Sequence, residues 1–336
     1  MRIRNLKHSH PALGLLLLLV VFTTACNIVS GPPSFVSPLY VANSGSNNIL
    51  IYAAFTNGDT GPANTISGTG LAGPSGITLN AAGQIFVANS TNSITVYPLG
   101  ANGAATPIRT ISGALTLLDN PQGIALDAAG NLYVANAGAT TSSVTVYAPG
   151  AGGAPGTPAT NVAPIRTISG ALTLLDKPQG VIVDATGILY VANAGATSSI
   201  TVYAPGAGGA PGTPATNVAP TRTISGSGTG LDNPIGVGLD TAGNLYVANA
   251  GITTSSITVY APGASAPSNT ITGTNTGLAS PQGVVLDPIG RLYVANKTTP
   301  SITVYAPGAT NPALPIRIIS GGATQLTQPL FIALRP

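Results

Sequence analysis

Residues 121–136 read Pro-Gln-Gly-Ile-Ala-Leu-Asp-Ala-Ala-Gly-Asn-Leu-Tyr-Val-Ala-Asn. Two short apolar runs, 123–126 and 132–136, flank Asp-Ala-Ala-Gly, which carries the Asp and Gly that a tight turn requires. Runs this short, rich in Ile, Val and Tyr, predict strands rather than helices. Leu-Tyr-Val-Ala-Asn occurs at 39–43, 132–136, 189–193, 245–249 and 292–296, and Ile-Phe-Val-Ala-Asn at 85–89 is a sixth copy. The aromatic positions 40, 86, 133, 190, 246 and 293 are spaced by 46, 47, 57, 56 and 47 residues, so the hairpin belongs to a unit repeated six times.

Working outward, each unit contains two more strand-like segments. The run ahead of the turn recurs, in the manner of Gly-Ile-Ala-Leu-Asp, at 76–80, 123–127, 180–184, 236–240 and 283–287. A third segment, Ser-Ile-Thr-Val-Tyr or a variant, recurs at 48–52, 93–97, 143–147, 199–203, 256–260 and 301–305. A fourth, related to Pro-x-Arg-Thr-Ile-Ser-Gly, begins at Pro62, Pro107, Pro164, Pro220, Pro267 and Pro315. Four short strands per unit, joined by Gly, Pro, Asn and Asp turns, is the pattern of a β-propeller blade. The first strand is missing ahead of Leu39, and its copy lies at the other end of the chain. Gln-Pro-Leu-Phe-Ile-Ala-Leu at 328–334 aligns with Asn-Pro-Gln-Gly-Ile-Ala-Leu at 120–126. Such a displacement makes sense in a closed ring. The expectation is an all-β, six-bladed propeller over 39–336, with four antiparallel strands per blade, in which the C-terminal strand completes the N-terminal blade. Residues 147–164 and 203–220 share the sequence YAPGAGGAPGTPATNVAP and are expected to protrude from one face as mobile Pro/Gly loops.

Composition agrees. The 336 residues include 43 Gly and 29 Pro, and 6% are charged against about 25% in an average protein. This excludes a coiled coil and a charged disordered tail. Beyond Cys26, eight Lys/Arg balance eight Asp, and a neutral chain lacks the footprint that nucleic acid requires. Residues 1–25 run basic (Arg2, Arg4, Lys7), apolar (12–22), then small and polar, which is the order of a secretory signal peptide. Thr23-Thr24-Ala25-Cys26 resembles the lipobox of bacterial lipoproteins, departing from it at Thr23, where Leu is usual. The resemblance implies a lipidated Cys26, a tether over 26–38 and an exported protein anchored by its acyl chains alone. Asn27 in place of the Asp that retains proteobacterial lipoproteins at the inner membrane implies the outer membrane or cell surface.

The unit at 121–136 resembles the NHL repeat, whose pattern is Pro-x-Gly-Ile/Val-x-Val-Asp-x-x-Gly-x-Leu-Tyr-Val-Ala-Asp. Tyr40-Val41-Ala42-Asn43-Ser44-Gly45-Ser46-Asn47 is similar to the YVTN-type repeats of surface proteins. The departures are Asn for the NHL Asp, and Ser-Ile-Thr-Val-Tyr where those repeats carry an Arg. The resemblance implies a fold shared by protein-binding and RNA-binding scaffolds and a few lyases, and so names no activity.

The chemistry narrows the choice. His8 and His10 both precede Cys26, and the chain has no Glu. Ser-His-Asp and Cys-His catalysis, His/Cys zinc sites and paired-Glu catalysis are therefore excluded beyond Cys26. No cofactor is expected and no metal site is assigned, although calcium held by Asp and Asn stays open. Asp127, Asp184, Asp240 and Asp287 recur in Asp-x-x-Gly and read as turn residues. The eleven Tyr fall at two repeat positions and read as packing between blades. Arg109, Arg166, Arg222 and Arg317 fall on the outermost strands, where charge discourages edge-to-edge association.

The candidate ligand face comprises Asn43, Asn89, Asn136, Asn193, Asn249 and Asn296, which end the second strands, Gln122, Gln179 and Gln282, which begin the first strands, and Asp119, Asp176 and Asp232 beside them. Each Asn either caps its own turn or belongs to a polar surface suited to glycan or peptide contacts. The expectation is a non-catalytic envelope scaffold with a protein, peptide or glycan partner. The alternatives are a propeller-type lactonase or lyase, and an adhesive surface protein.

Overall fold

The computed structural model describes residues 37–335 except Thr140, Ile252 and Thr253. The signal-like segment, Cys26 and nearly all of the tether lie outside the described residues.

Among the described residues, twenty-four strands form six four-stranded antiparallel sheets. Blade 3 represents them, with Pro121–Leu126 innermost, then Leu132–Ala137, Ser142–Tyr147 and, outermost, Arg166–Ser169. Blade 1 is ordered Pro329–Leu334, Leu39–Asn43, Asn48–Tyr52 and Asn64–Ile66, so the C-terminal strand is the inner strand of the N-terminal blade. The ring is closed as the displaced repeat required. Inner strands run from an upper face, where Pro121 opposes Asn136, to a lower face, where Leu126 opposes Leu132.

The core lies between blades. Side chains alternate along each strand, so one face of a blade packs on the blade before and the other on the blade after. Between blades 2 and 3, Phe86, Ala88, Ile94 and Val96 meet Ile124, Leu132, Val134 and Tyr147. The same cluster recurs around the ring, and the two Tyr positions sit on its opposite sides, as expected of packing residues.

Inner strands approach each other closely at one level. A Cβ on Gly123 would lie 2.6 Å from the Gln179 carbonyl oxygen, and one on Gly76 would lie 2.1 Å from that of Gln122. Gly180, Gly236 and Gly283 repeat the contact, and Phe331 holds the sixth place.

Two expectations need correction. The long inserts do not protrude. Each lies along the outer strand of the blade before it. Thr110 N–H donates to the Gly153 carbonyl at 2.8 Å, Gly153 N–H returns the bond at 3.1 Å, and Leu115 N–H donates to Asn161 Oδ1 at 2.8 Å. The second insert repeats this with Thr167, Gly209, Leu172 and Asn217. Shorter loops do the same through Gly58 on Ile318 and Gly103 on Thr65. Outer edges expose unpaired backbone groups, so the next blade's loop satisfies them. The arginines, in turn, are half-buried fasteners rather than solvated edge charges. Arg109 Nη1 donates to Ala151 O at 3.2 Å, Arg222 Nη1 to Ala264 O at 2.7 Å, and Arg166 Nη2 to the Tyr133 hydroxyl at 2.9 Å.

Candidate binding face

The inner and second strands place the sequence-predicted residues on the upper face, but they do not all look outward. The six asparagines are fully buried. Asn136 Nδ2 donates to Thr145 Oγ1 at 3.0 Å and to Val134 O at 3.3 Å, while its Oδ1 accepts Asp119 N–H at 3.2 Å. Asn193 and Asn249 repeat the set on Thr201 and Asp176, and on Thr258 and Asp232. Asn296 caps Ala279 N–H at 3.0 Å, Asn89 caps Ala72 N–H at 3.1 Å, and Asn43 caps Thr327 N–H at 2.9 Å. Each Asn ties the incoming loop to its own hairpin and is withdrawn from any ligand. A buried amide with both ends used is a folding element.

The three acidic residues do not converge either. Asp176 Oδ2 accepts Ala196 N–H at 2.7 Å, holding the loop between the second and third strands. A Cβ on Gly195 would meet that carboxylate, and Gly138 and Gly251 stand in the same way against Asp119 and Asp232. The lower-face aspartates behave as their Asp-x-x-Gly spacing predicted. Asp127, Asp184, Asp240 and Asp287 each accept the N–H of the residue four positions on, at 2.8 to 2.9 Å. Asn80 does the same for Gln84. Among the described residues no three His, Cys, Asp or Glu side chains gather as a metal would need.

What converges is the glutamine set. Pro121 opposes Asn136 and Ile124 opposes Val134, so three steps on the inner strand match two on its partner. One extra residue makes a β-bulge, which turns Gln122 out of the ladder. The bulge recurs in the other five blades. Gln122, Gln179 and Gln282 thereby line one cavity of about 340 Å3 at the upper mouth of the ring. Asn233, Lys297, Ile235, Leu330 and Phe331 are also part of its wall. Below it, Ile77, Ile124, Val181, Val237 and Ile332 line the shaft of the ring, a space of about 290 Å3 whose upper end is again Phe331. Sequence reasoning missed Asn233, Lys297 and Phe331. The signal for Phe331 was present, because the alignment of 328–334 with 120–126 sets it opposite Gly123.

Neither a known protein family nor a curated protein matches the sequence. Solved structures match the fold. A Bacteroides caccae protein of unknown function aligns at TM-score 0.63 and 12% identity, over 89% of this chain and 98% of the other. The WD40 β-propeller domain of Doa1 aligns at TM-score 0.53 and 11% identity, over 85% and 79%. A Xanthomonas campestris gluconolactonase aligns at TM-score 0.51 and 15% identity, over 87% and 89%. At these identities the chain is similar to all of them in being a β-propeller, and in nothing finer.

Proposed function

We propose that this chain is a non-catalytic binding scaffold of the bacterial cell envelope, an NHL-like propeller anchored through lipid on Cys26 that holds a partner at its upper mouth. The observation that carries the reading is the chemistry of that mouth. Three glutamines and Asn233 converge there from four blades, Lys297 joins them from the blade of Gln282, and no carboxylate lines it. Acid–base catalysis near neutral pH usually needs His, or a carboxyl or Lys tuned by burial. Residues 27–336 contain no His and no Glu, and the aspartates hold turns and loops. The likeness to a gluconolactonase is one of fold, so lactone hydrolysis is the activity to test against.

Two measurements on the full chain decide. Cell fractionation should find the protein with membranes after a high-salt wash and the Cys26→Ser variant in the soluble fraction, because one thiol carries every acyl chain. The variant remaining on washed membranes would refute the anchor. The purified protein, with and without added calcium, should turn over no lactone. Turnover abolished by a single Asp→Ala change would refute the scaffold.

A further inference from the structure

We propose that the upper mouth is a saccharide pocket, taking the end of a neutral sugar chain; this rests on the scaffold reading and names its ligand. The inference starts from the direction of four amides. Gln122, Gln179 and Gln282 each donate Nε2–H to the backbone carbonyl two residues earlier, at 3.3, 3.3 and 3.1 Å. Asn233 donates Nδ2–H to the Ala250 carbonyl at 3.3 Å. A backbone carbonyl only accepts, so the end of each amide facing it must be the NH2 group, and the amide oxygen must point the other way. None of the four oxygens accepts a hydrogen bond among the described residues, and all four side chains line the cavity. Gln282 is 8% exposed, so an otherwise buried side chain spends its remaining surface on this opening.

The backbone holds this arrangement at a cost. The carbonyls accepting from the glutamines belong to Asn120, Lys177 and Ser280, whose φ values are 51°, 49° and 51°, and Asn233 has φ 52°. Left-handed backbone is unfavourable for residues other than Gly. Four consecutive blades accept it just ahead of the inner strand.

Apolar residues supply the other half of a sugar's chemistry. Five blades carry Gly where the inner strands touch, while the C-terminal strand carries Phe331, which lies between the mouth and the shaft. Ile235 and Leu330 hold in their blades the position that the glutamines hold in theirs, and with Phe331 they give the pocket an apolar portion beside the acceptors. A pyranose offers several hydroxyl donors around its edge and a C–H face for an aromatic ring. A carboxylate or phosphate would confront four carbonyl oxygens with one Lys in return. An extended peptide alternates N–H donors with carbonyls, so only part of its polar groups can pair with these oxygens, and the carbonyls that face them stay unpaired at a penalty. A space of about 340 Å3 is at the small end of ligand pockets, so the chain enters end-on.

The test uses the full chain in a detergent without a sugar head group, titrated calorimetrically with cellobiose and with N,N′-diacetylchitobiose. At least one should bind. The double variant Gln179→Leu/Gln282→Leu should weaken binding tenfold or more, and Phe331→Gly severalfold. Asn161→Ala, on the outer loops, should leave it unchanged. Melting curves identify a variant that has lost its fold, and the glutamine and Phe331 variants report separately. Binding of neither disaccharide, or equal binding by the double variant, overturns the proposal. If a triglycine peptide binds the wild type and not the double variant while the sugars fail, the saccharide is wrong and the scaffold stands. Hydrolysis of either disaccharide would end both readings.

Discussion

The third-strand tyrosines show how much a single residue depends on the loop that meets it. Tyr52, Tyr147, Tyr203, Tyr260 and Tyr305 donate their buried hydroxyls to the carbonyls of Thr324, Thr116, Thr173, Thr229 and Thr276 in the loop leaving the preceding blade. Tyr97 is the exception, with a buried hydroxyl that has no partner. The loop ahead of it is shorter: Ile66 to Pro74 is 8 positions, whereas Ile111 to Pro121 is 10. It lacks the 3-10 turn that presents the Thr carbonyl elsewhere. Tyr147→Phe should therefore destabilise by about 1–2 kcal/mol, because it strands a buried carbonyl, while Tyr97→Phe should be neutral or slightly stabilising. Denaturant melts of the two variants check this, and equal losses would disprove it. Burial also pushes the Tyr203 and Tyr305 hydroxyls from 10.0 up to about 12. Unfolded tyrosines ionise near pH 10 and these stay protonated, so the unfolded state binds fewer protons above that pH. Their contribution is complete below about pH 10 and is lost between about pH 10 and 12, at roughly 2–3 kcal/mol each. Stability measured from pH 9 to 12 should fall steeply, and a flat profile would contradict the burial. The sequence revealed the tyrosine period, but the missing partner required the loop geometry. The six asparagines teach the same limit. Their place at the strand ends was legible, and whether they faced water or their own hairpins was not.

At the scale of elements, composition misled where Gly and Pro were abundant. Residues 148–163 have no strand-like pattern, yet they settle on an outer strand through one reciprocal pair of backbone bonds and one Asn. Sequence periodicity carries no sign of such a contact, because it is made by main-chain groups of residues without distinctive side chains. The contact is uneven around the ring. Thr110 and Thr167 have their outward N–H groups bonded to Gly153 and Gly209. Thr223 and Thr270 occupy the same register in blades 4 and 5, opposite Thr201 and Thr258. No backbone acceptor reaches their amides among the described residues. Amide hydrogen exchange should accordingly be slow at Thr110 and Thr167 and much faster at Thr223 and Thr270. Asn161→Ala should cost about 1 kcal/mol and speed exchange at Leu115, whose N–H it caps. Uniform exchange across the four outer strands would mean that the inserts do not cover the edges.

The whole ring was the most legible feature, because closure leaves a covalent trace: one inner strand stands at the wrong end of the chain. That strand is bound on several sides. Leu39 opposes Leu334, Tyr40 opposes Ala333 and Val41 opposes Ile332. Ile332 and Leu334 pack against Tyr293 and Ala295 of blade 6, and Ala333 and Phe331 pack toward blade 2. Thr327 N–H and Gln328 N–H are both held by Asn43 Oδ1, and Ser37 Oγ donates to the Arg335 carbonyl at 3.1 Å. Deleting residues 329–336 would thus remove side chains from two inter-blade clusters at once. It would also expose the inner edge of Leu39–Asn43, an apolar strand, to solvent and to other chains. Loss of several large buried side chains, at about 2–4 kcal/mol each, exceeds the 5–15 kcal/mol total stability of a typical domain or comes close to it. The truncated chain should therefore fail to fold or should melt far below the intact protein, with aggregation. A truncated protein that keeps the melting curve of the full chain would show that the N-terminal blade does not depend on its C-terminal strand, and the closed ring would have to be abandoned.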